Sequence, residues 1–183
     1  MFELRTYNLS KTAREEVFAK ASAIAGAGAP PFRSKDLKIA ESDEEGSNLA
    51  VIFDTSEKLY LGRRLGKGVH GSGKEEGFLI FPLLSDEVIL PKKPVITVDS
   101  GAVKFVCNGA NIMRPGIVKF EGEFGVSEIV LVKEQKYGKA IAVGRALASK
   151  QELESMKKGP AFENLHYVGD KFWVILKEIE KSF

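Results

Sequence analysis

Cysteine is all but missing from this chain. Cys107 stands alone among 183 residues, which excludes an internal disulfide framework and makes a reducing compartment the expectation. Histidine is nearly as scarce. With only His70 and His166 beside that one thiol, no Cys/His cluster of metal-ligand spacing exists and no metal is expected. No apolar run approaches the length needed to cross a bilayer. The opening MFELRTYNLS has neither the basic nor the apolar region of a secretory leader, so a soluble, cytoplasmic protein with no membrane partner is expected. Carboxylates are scattered among lysines, with no pair set apart as acid and base. Cys107 falls on an apolar helix face, where a thiol packs rather than reacts, and His166 beside Tyr167 reads as a packing residue with one hydrogen bond. The chain is therefore not expected to be an enzyme, and no catalytic residue and no cofactor is expected.

What is present is ordinary globular composition, 44% apolar and 28% charged, in a chain long enough for one large or two small domains. A net charge of +2 hides an asymmetry. Residues 1–91 hold 12 Lys+Arg against 14 Asp+Glu, and residues 92–183 hold 15 against 11. The second half is the one suited to a polyanionic partner, provided its cations cluster.

The first half reads as a small α+β domain over residues 1–91. Residues 2–9 begin as an alternating strand, and Ser10 N-caps a helix whose apolar stripe is Ala13, Val17, Ala21 and Ile24. Gly26, Gly28 and the pair Pro30 and Pro31 end it. A short strand at 37–40, an acidic turn at 41–48, a hairpin at 49–53 and 58–61, and a buried apolar run at 78–84 follow. Residues 91–94, Pro-Lys-Lys-Pro, read as a linker.

Residues 62–77 form a Gly-rich stretch expected to be a flexible hairpin loop. Gly68 to Lys74 spells G-x-x-x-x-G-K, but Glu75 stands where a nucleotide-binding loop needs a magnesium-binding hydroxyl, and an apolar strand follows instead of a helix. Nucleotide binding is not expected there. Its cations Arg63, Arg64, Lys67 and Lys74 remain candidates for contact with a nucleic-acid backbone.

Residues 95–118, VITVDSGAVKFVCNGANIMRPGIV, organise the second half. The β-branched run at 95–98 predicts a buried strand, Asp99 or Ser100 an N-cap, and residues up to Val106 a helix of about two turns. Asn108 and Gly109, which both tolerate the left-handed conformation, stop it, and apolar segments resume at Ile112 and at Ile117. Strands are predicted at 128–133 and 140–148, with Gly138 in the turn between them. Ser149-Lys150-Gln151-Glu152 is a capping box that opens a helix, which Gly159-Pro160 ends. Residues 172–176, FWVIL, read as a last strand.

The run Val98-Asp99-x-Gly101-Ala102-x-Lys104-Phe105-Val106-x-x-Gly109-Ala110-Asn111-x-Met113-x-Pro115-Gly116 resembles the opening of a PUA domain. That domain is a small RNA-binding pseudo-barrel found in pseudouridine synthases and archaeosine transglycosylases. Together with Glu163-Asn164-x-His166-Tyr167 and Trp173 near the end, the run is most similar to the malignant T-cell amplified sequence family of translation factors and its archaeal relatives. The resemblance implies an α+β fold in which a small N-terminal domain precedes a PUA-type β pseudo-barrel with short helices over residues 92–183. It also implies structured RNA as partner (a tRNA acceptor stem or rRNA), the small ribosomal subunit, and a protein partner for the N-terminal domain. Lys104, Asn108, Gly109, Arg114 and Lys119 are the residues it places at the RNA. An accessory module for tRNA or rRNA modification, and a protein-interaction adaptor, are the alternative functions.

Overall fold

The computed structural model describes residues 4–26, 36–42, 49–65 and 78–182. The first half forms a five-stranded antiparallel sheet in simple sequential order. Its strands are β1 (Leu4–Asn8), β2 (Lys38–Ser42), β3 (Ala50–Asp54), β4 (Leu59–Leu65) and β5 (Phe78–Pro82). Helix α1 (Lys11–Ala25) follows β1. The Ser10 hydroxyl caps it by accepting from the Ala13 amide, and Gly26 ends it at φ +87°.

β3 is buried from end to end because both faces of this sheet are covered. Ala50 and Ile52 face the cluster that includes Val17 and Ala21 of α1. Val51 and Phe53 alternate to the other face, where they meet a helix from the far end of the chain. Strand β4 continues to Leu65, so Gly62, Arg63, Arg64 and Leu65 are ladder residues and not part of a loop. The G-x-x-x-x-G-K segment and residues 43–48 lie outside the described residues.

A one-turn helix at Leu90–Lys92 leads into the second sheet, and the Lys93 ammonium donates to the Ile24 carbonyl. Just before it, the buried Asp86 carboxylate accepts from the amides of Tyr60, Val88, Ile89 and Leu90, tying this connector to β4.

The second sheet has six strands: β6 (Val95–Val98), β7 (Ile112–Met113), β8 (Ile117–Glu121), β9 (Ile129–Glu134), β10 (Ala140–Ala146) and β11 (Pro160–Tyr167). Their order is β7-β11-β10-β9-β6-β8, with β6 and β9 parallel. β7 and β8 are its two edges, yet only the turn Arg114–Gly116 separates them in sequence. The sheet must therefore curl until its edges meet, which makes the expected pseudo-barrel. Ile96, Val98, Ile112, Val130, Val132 and Phe162 fill its interior. Helix α2 (Ser100–Val106) covers one opening, and α3 (Lys150–Ser155) starts from the predicted capping box.

Two expectations fail at the C-terminus. β11 pairs with β10 over residues read only as a motif, and the FWVIL segment is helical, within α4 (Lys171–Ser182), not a strand. Its β-prone composition is overridden by the Asp170 carboxylate, which accepts from the Trp173 amide as a cap. Phe172, Ile175, Leu176 and Ile179 are buried at helical spacing, and with Val51, Phe53, Phe81 and Leu83 of the first half they form one cluster. The core thus runs unbroken from one sheet to the other.

Candidate functional site

β6 delivers the chain to Asp99, whose carboxylate accepts from the Ala102 amide at 2.8 Å and starts α2. The helix ends in a tight turn. The amides of Asn108 and Ala110 both donate to the Phe105 carbonyl, the Gly109 amide donates to the Val106 carbonyl, and Gly109 sits at φ +84°. A Cβ on Gly109 would stand 3.0 Å from the Tyr167 ring, so this glycine is required by backbone conformation and by close approach together.

Asn164 fastens the turn to the sheet. Its side-chain amide donates to the carbonyls of Val106 (2.9 Å) and Ala110 (3.0 Å), and its backbone amide donates to the Asn111 side chain. The two sequence segments of the resemblance, far apart in the chain, meet here. Asn164 lies in a strand that also carries Glu163 and His166, so nothing local sets it apart. Its role was not recognised from the sequence.

On the other side of α2 the turn Arg114–Gly116 packs so closely that a Cβ on Gly116 would lie 2.8 Å from the Ala102 methyl. Between helix and turn opens a groove of about 540 Å³, lined mainly by apolar groups, among them Phe105, Ala110, Met113 and Pro115. Phe105 is 65% exposed and Met113 47%, although both are large and apolar.

The predicted site residues separate into three places. Lys104, Asn108 and Gly109 are exposed together on α2 and its terminal turn. Arg114 is half-buried: its Nε donates to the Leu153 carbonyl at 2.6 Å and its Nη1 to the Ile117 carbonyl at 3.1 Å, with the guanidinium 5.2 Å from the Phe120 ring. It fastens the groove wall to α3. Lys119 lies on the outward face of β8 beside Glu121, at 2.9 Å.

Arg63, considered as a backbone contact, instead pairs with Glu41 and stacks on Phe78 at 4.5 Å. Cys107 packs against the barrel core, and burial pushes its thiol pKa up, away from the reactive thiolate. His166 is fully buried, its Nδ1 2.9 Å from the Asp170 carboxylate and its ring edge-on to Phe172. Among the described residues no three His, Cys, Asp or Glu side chains gather where they would hold a metal ion, and no helix is long and apolar enough to cross a membrane.

Comparison with known proteins falls on the same segment. The PUA domain model matches residues 94–168. An uncharacterised protein of Methanocaldococcus jannaschii is 45% identical over 84 residues, 46% of this chain and 52% of that one. Human malignant T-cell-amplified sequence 2 is 39% identical over 88 residues (46% and 47%), and translation machinery-associated protein 20 of Saccharomyces cerevisiae 34% over 86 residues (44% and 48%). The matched segment spans about half the length of these curated relatives. Solved structures similar over nearly the whole chain include two archaeal proteins. A hypothetical protein of Pyrococcus horikoshii is 31% identical with a TM-score of 0.67, covering 93% of this chain and 99% of that one. A PUA domain protein of Aeropyrum pernix shares the fold at 23% identity with a TM-score of 0.73, covering 96% and 92%.

Proposed function

We propose that this chain, which matches the PUA domain model over residues 94–168, binds structured RNA, a tRNA acceptor stem or an rRNA helix, through α2 and its Gly109 turn. A-form RNA is read by shape and by 2′-hydroxyl and phosphate contacts, because its deep groove excludes side chains. A rigid turn with a glycine at its apex, flanked by Lys104 and Asn108, suits that mode of approach. The observation that carries the reading is that the PUA match, the excess of positive charge and the Asn164-pinned turn all fall on the same half of the chain.

The yeast relative's name, translation machinery-associated, supports a role in translation, with the small ribosomal subunit and the cytoplasm as setting. Residues 1–91 and 92–183 act in this reading as two functional units, the first presenting a surface to a protein partner. No chemical step is assigned to the protein.

The test is RNA affinity of the full chain against salt, for a tRNA-like stem-loop and for a DNA duplex of the same sequence. Preference for RNA and a steep salt slope support the reading; equal, weak binding to both sinks it. Gly109→Arg adds a charge that a purely electrostatic site would welcome. Here it is expected to weaken stem binding on the order of tenfold, because bulk blocks the approach. Circular dichroism checks that the variant folds.

A further inference from the structure

The tip of the β9–β10 hairpin places an aromatic ring where a turn would ordinarily be polar. Tyr137 is 69% exposed, with the Lys136 ammonium 4.9 Å and the Lys139 ammonium 6.0 Å from its ring centre. The turn beneath it is rigidly built. The Glu134 carboxylate accepts from the amides of Lys136 (2.7 Å), Tyr137 (2.7 Å) and Lys139 (3.1 Å). The Gly138 amide closes onto the Glu134 carbonyl, with Gly138 at φ +66°. Further back along the outward face, Lys119, Thr97 and Lys133 stand abreast on β8, β6 and β9. Lys133, Lys136 and Lys139 form no ion pair among the described residues. The Gln135 amide donates to the carbonyl of Val98, the last residue of β6 before the Asp99 cap of α2.

We propose that this hairpin is a second RNA contact, a platform on which one unpaired base stacks against Tyr137 while Lys133, Lys136 and Lys139 meet the phosphates beside it. The inference rests on the RNA-binding reading above and adds a single-stranded element to it. Stacking needs a base whose face is free, so the platform selects an unpaired nucleotide adjoining the helix that α2 engages. It is tolerant of sequence because every base offers a π-face. The backbone beneath the ring is already held by three amide hydrogen bonds to Glu134, so binding orders little more than the Tyr137 side chain, which favours contact.

The experiment uses the full chain and two probes: a blunt stem-loop RNA, and the same stem carrying a short unpaired oligoadenosine tail. Wild type is expected to bind the tailed stem more tightly. Tyr137→Ala should weaken the tailed complex roughly 5- to 100-fold and leave the blunt one within about twofold, while Tyr137→Phe retains the preference. An abasic tail on wild type should reproduce the loss. A tailed complex unaffected by Tyr137→Ala, or both complexes weakened alike, overturns the platform. Wild type that binds neither RNA overturns the RNA-binding reading itself.

Discussion

Three cations of the first half are used internally. Arg63 is paired with Glu41, Lys58 with Glu87 and Lys20 with Glu16. Around α2 and the β9–β10 hairpin the pattern reverses: Lys104, Lys133, Lys136 and Lys139 enter no ion pair among the described residues. The formal charges of the two halves differ modestly, so their number is not what separates them. Placement is. A cation already neutralised by a neighbouring carboxylate has little to offer a phosphate, whereas an unpaired one releases counterions when it meets a polyanion. The difference supports the proposal that α2 and the β9–β10 hairpin are where this chain meets RNA.

That division has a structural limit, and the largest predicted effect tests it. α4 belongs to the second half in sequence but packs on the first sheet, with Phe172 edge-on to Phe81 at 5.3 Å. Phe172→Ala should cost about 3–5 kcal/mol through lost burial and the cavity it leaves. Melting should remain one transition at a lower temperature, followed by circular dichroism and by calorimetry. Two separate transitions, only one of them shifted, would mean that the halves fold independently and that the shared core is weaker than its packing indicates.

The sequence made the second half legible where local rules act alone. The Asp99 cap, the Gly109 turn and the Ser149 capping box each depend on a few neighbouring residues, and each is where it was read. It was not legible where distant segments decide. FWVIL has strand composition, and its helical burial at Phe172, Ile175, Leu176 and Ile179 is set by a sheet some ninety residues earlier. The resemblance places Arg114 at the RNA, and no local pattern announces that its Nε and Nη1 also serve the carbonyls of Leu153 and Ile117, one of them far along the chain. Asn164 carries no local signature at all, because its partners Val106 and Ala110 are contributed by a segment brought near only by the curled sheet.

Asn164→Ala is the next largest perturbation and sharpens the comparison, since it touches only the second half. It leaves two carbonyls without their donor in a buried setting, with an expected loss of about 1–3 kcal/mol. The α2 turn should loosen, seen as faster amide exchange at Asn108 to Ala110, and stem-loop affinity should fall while the first sheet's amides keep their protection. Equal loosening of both sheets would contradict a local role. Lys104→Ala should act on binding alone. Affinity for every RNA should fall by a similar factor, the slope of log K against log salt should flatten by about one, and the melting temperature should not move. An unchanged slope removes Lys104 from the phosphate contacts.

The smallest effect concerns acid, and it separates the hairpin from ordinary surface carboxylates. Amide hydrogen bonds, that of Lys139 foremost and those of Tyr137 and Lys136 after it, hold the Glu134 carboxyl pKa below its usual value against the opposing effect of burial. A pKa lower in the folded chain than in the unfolded one means that the ionised carboxylate stabilises the turn. That contribution is fully present above the unfolded value, near 4.3 for a glutamate, and disappears as pH falls through the lower folded value. The hairpin should therefore keep its geometry at neutral and weakly acid pH and lose it only in stronger acid. NMR shifts of the Lys136, Tyr137 and Lys139 amides should move together along one titration curve. Its midpoint should lie below the value of about 4.3 of an unfolded glutamate. Glu134→Gln should abolish this titration and lower the preference for the tailed stem, because an amide side chain has only one oxygen for three donors. A midpoint in the ordinary glutamate range would show that the carboxylate does not organise the tip. The platform would then have to derive its rigidity from Gly138 and the strand ladder alone.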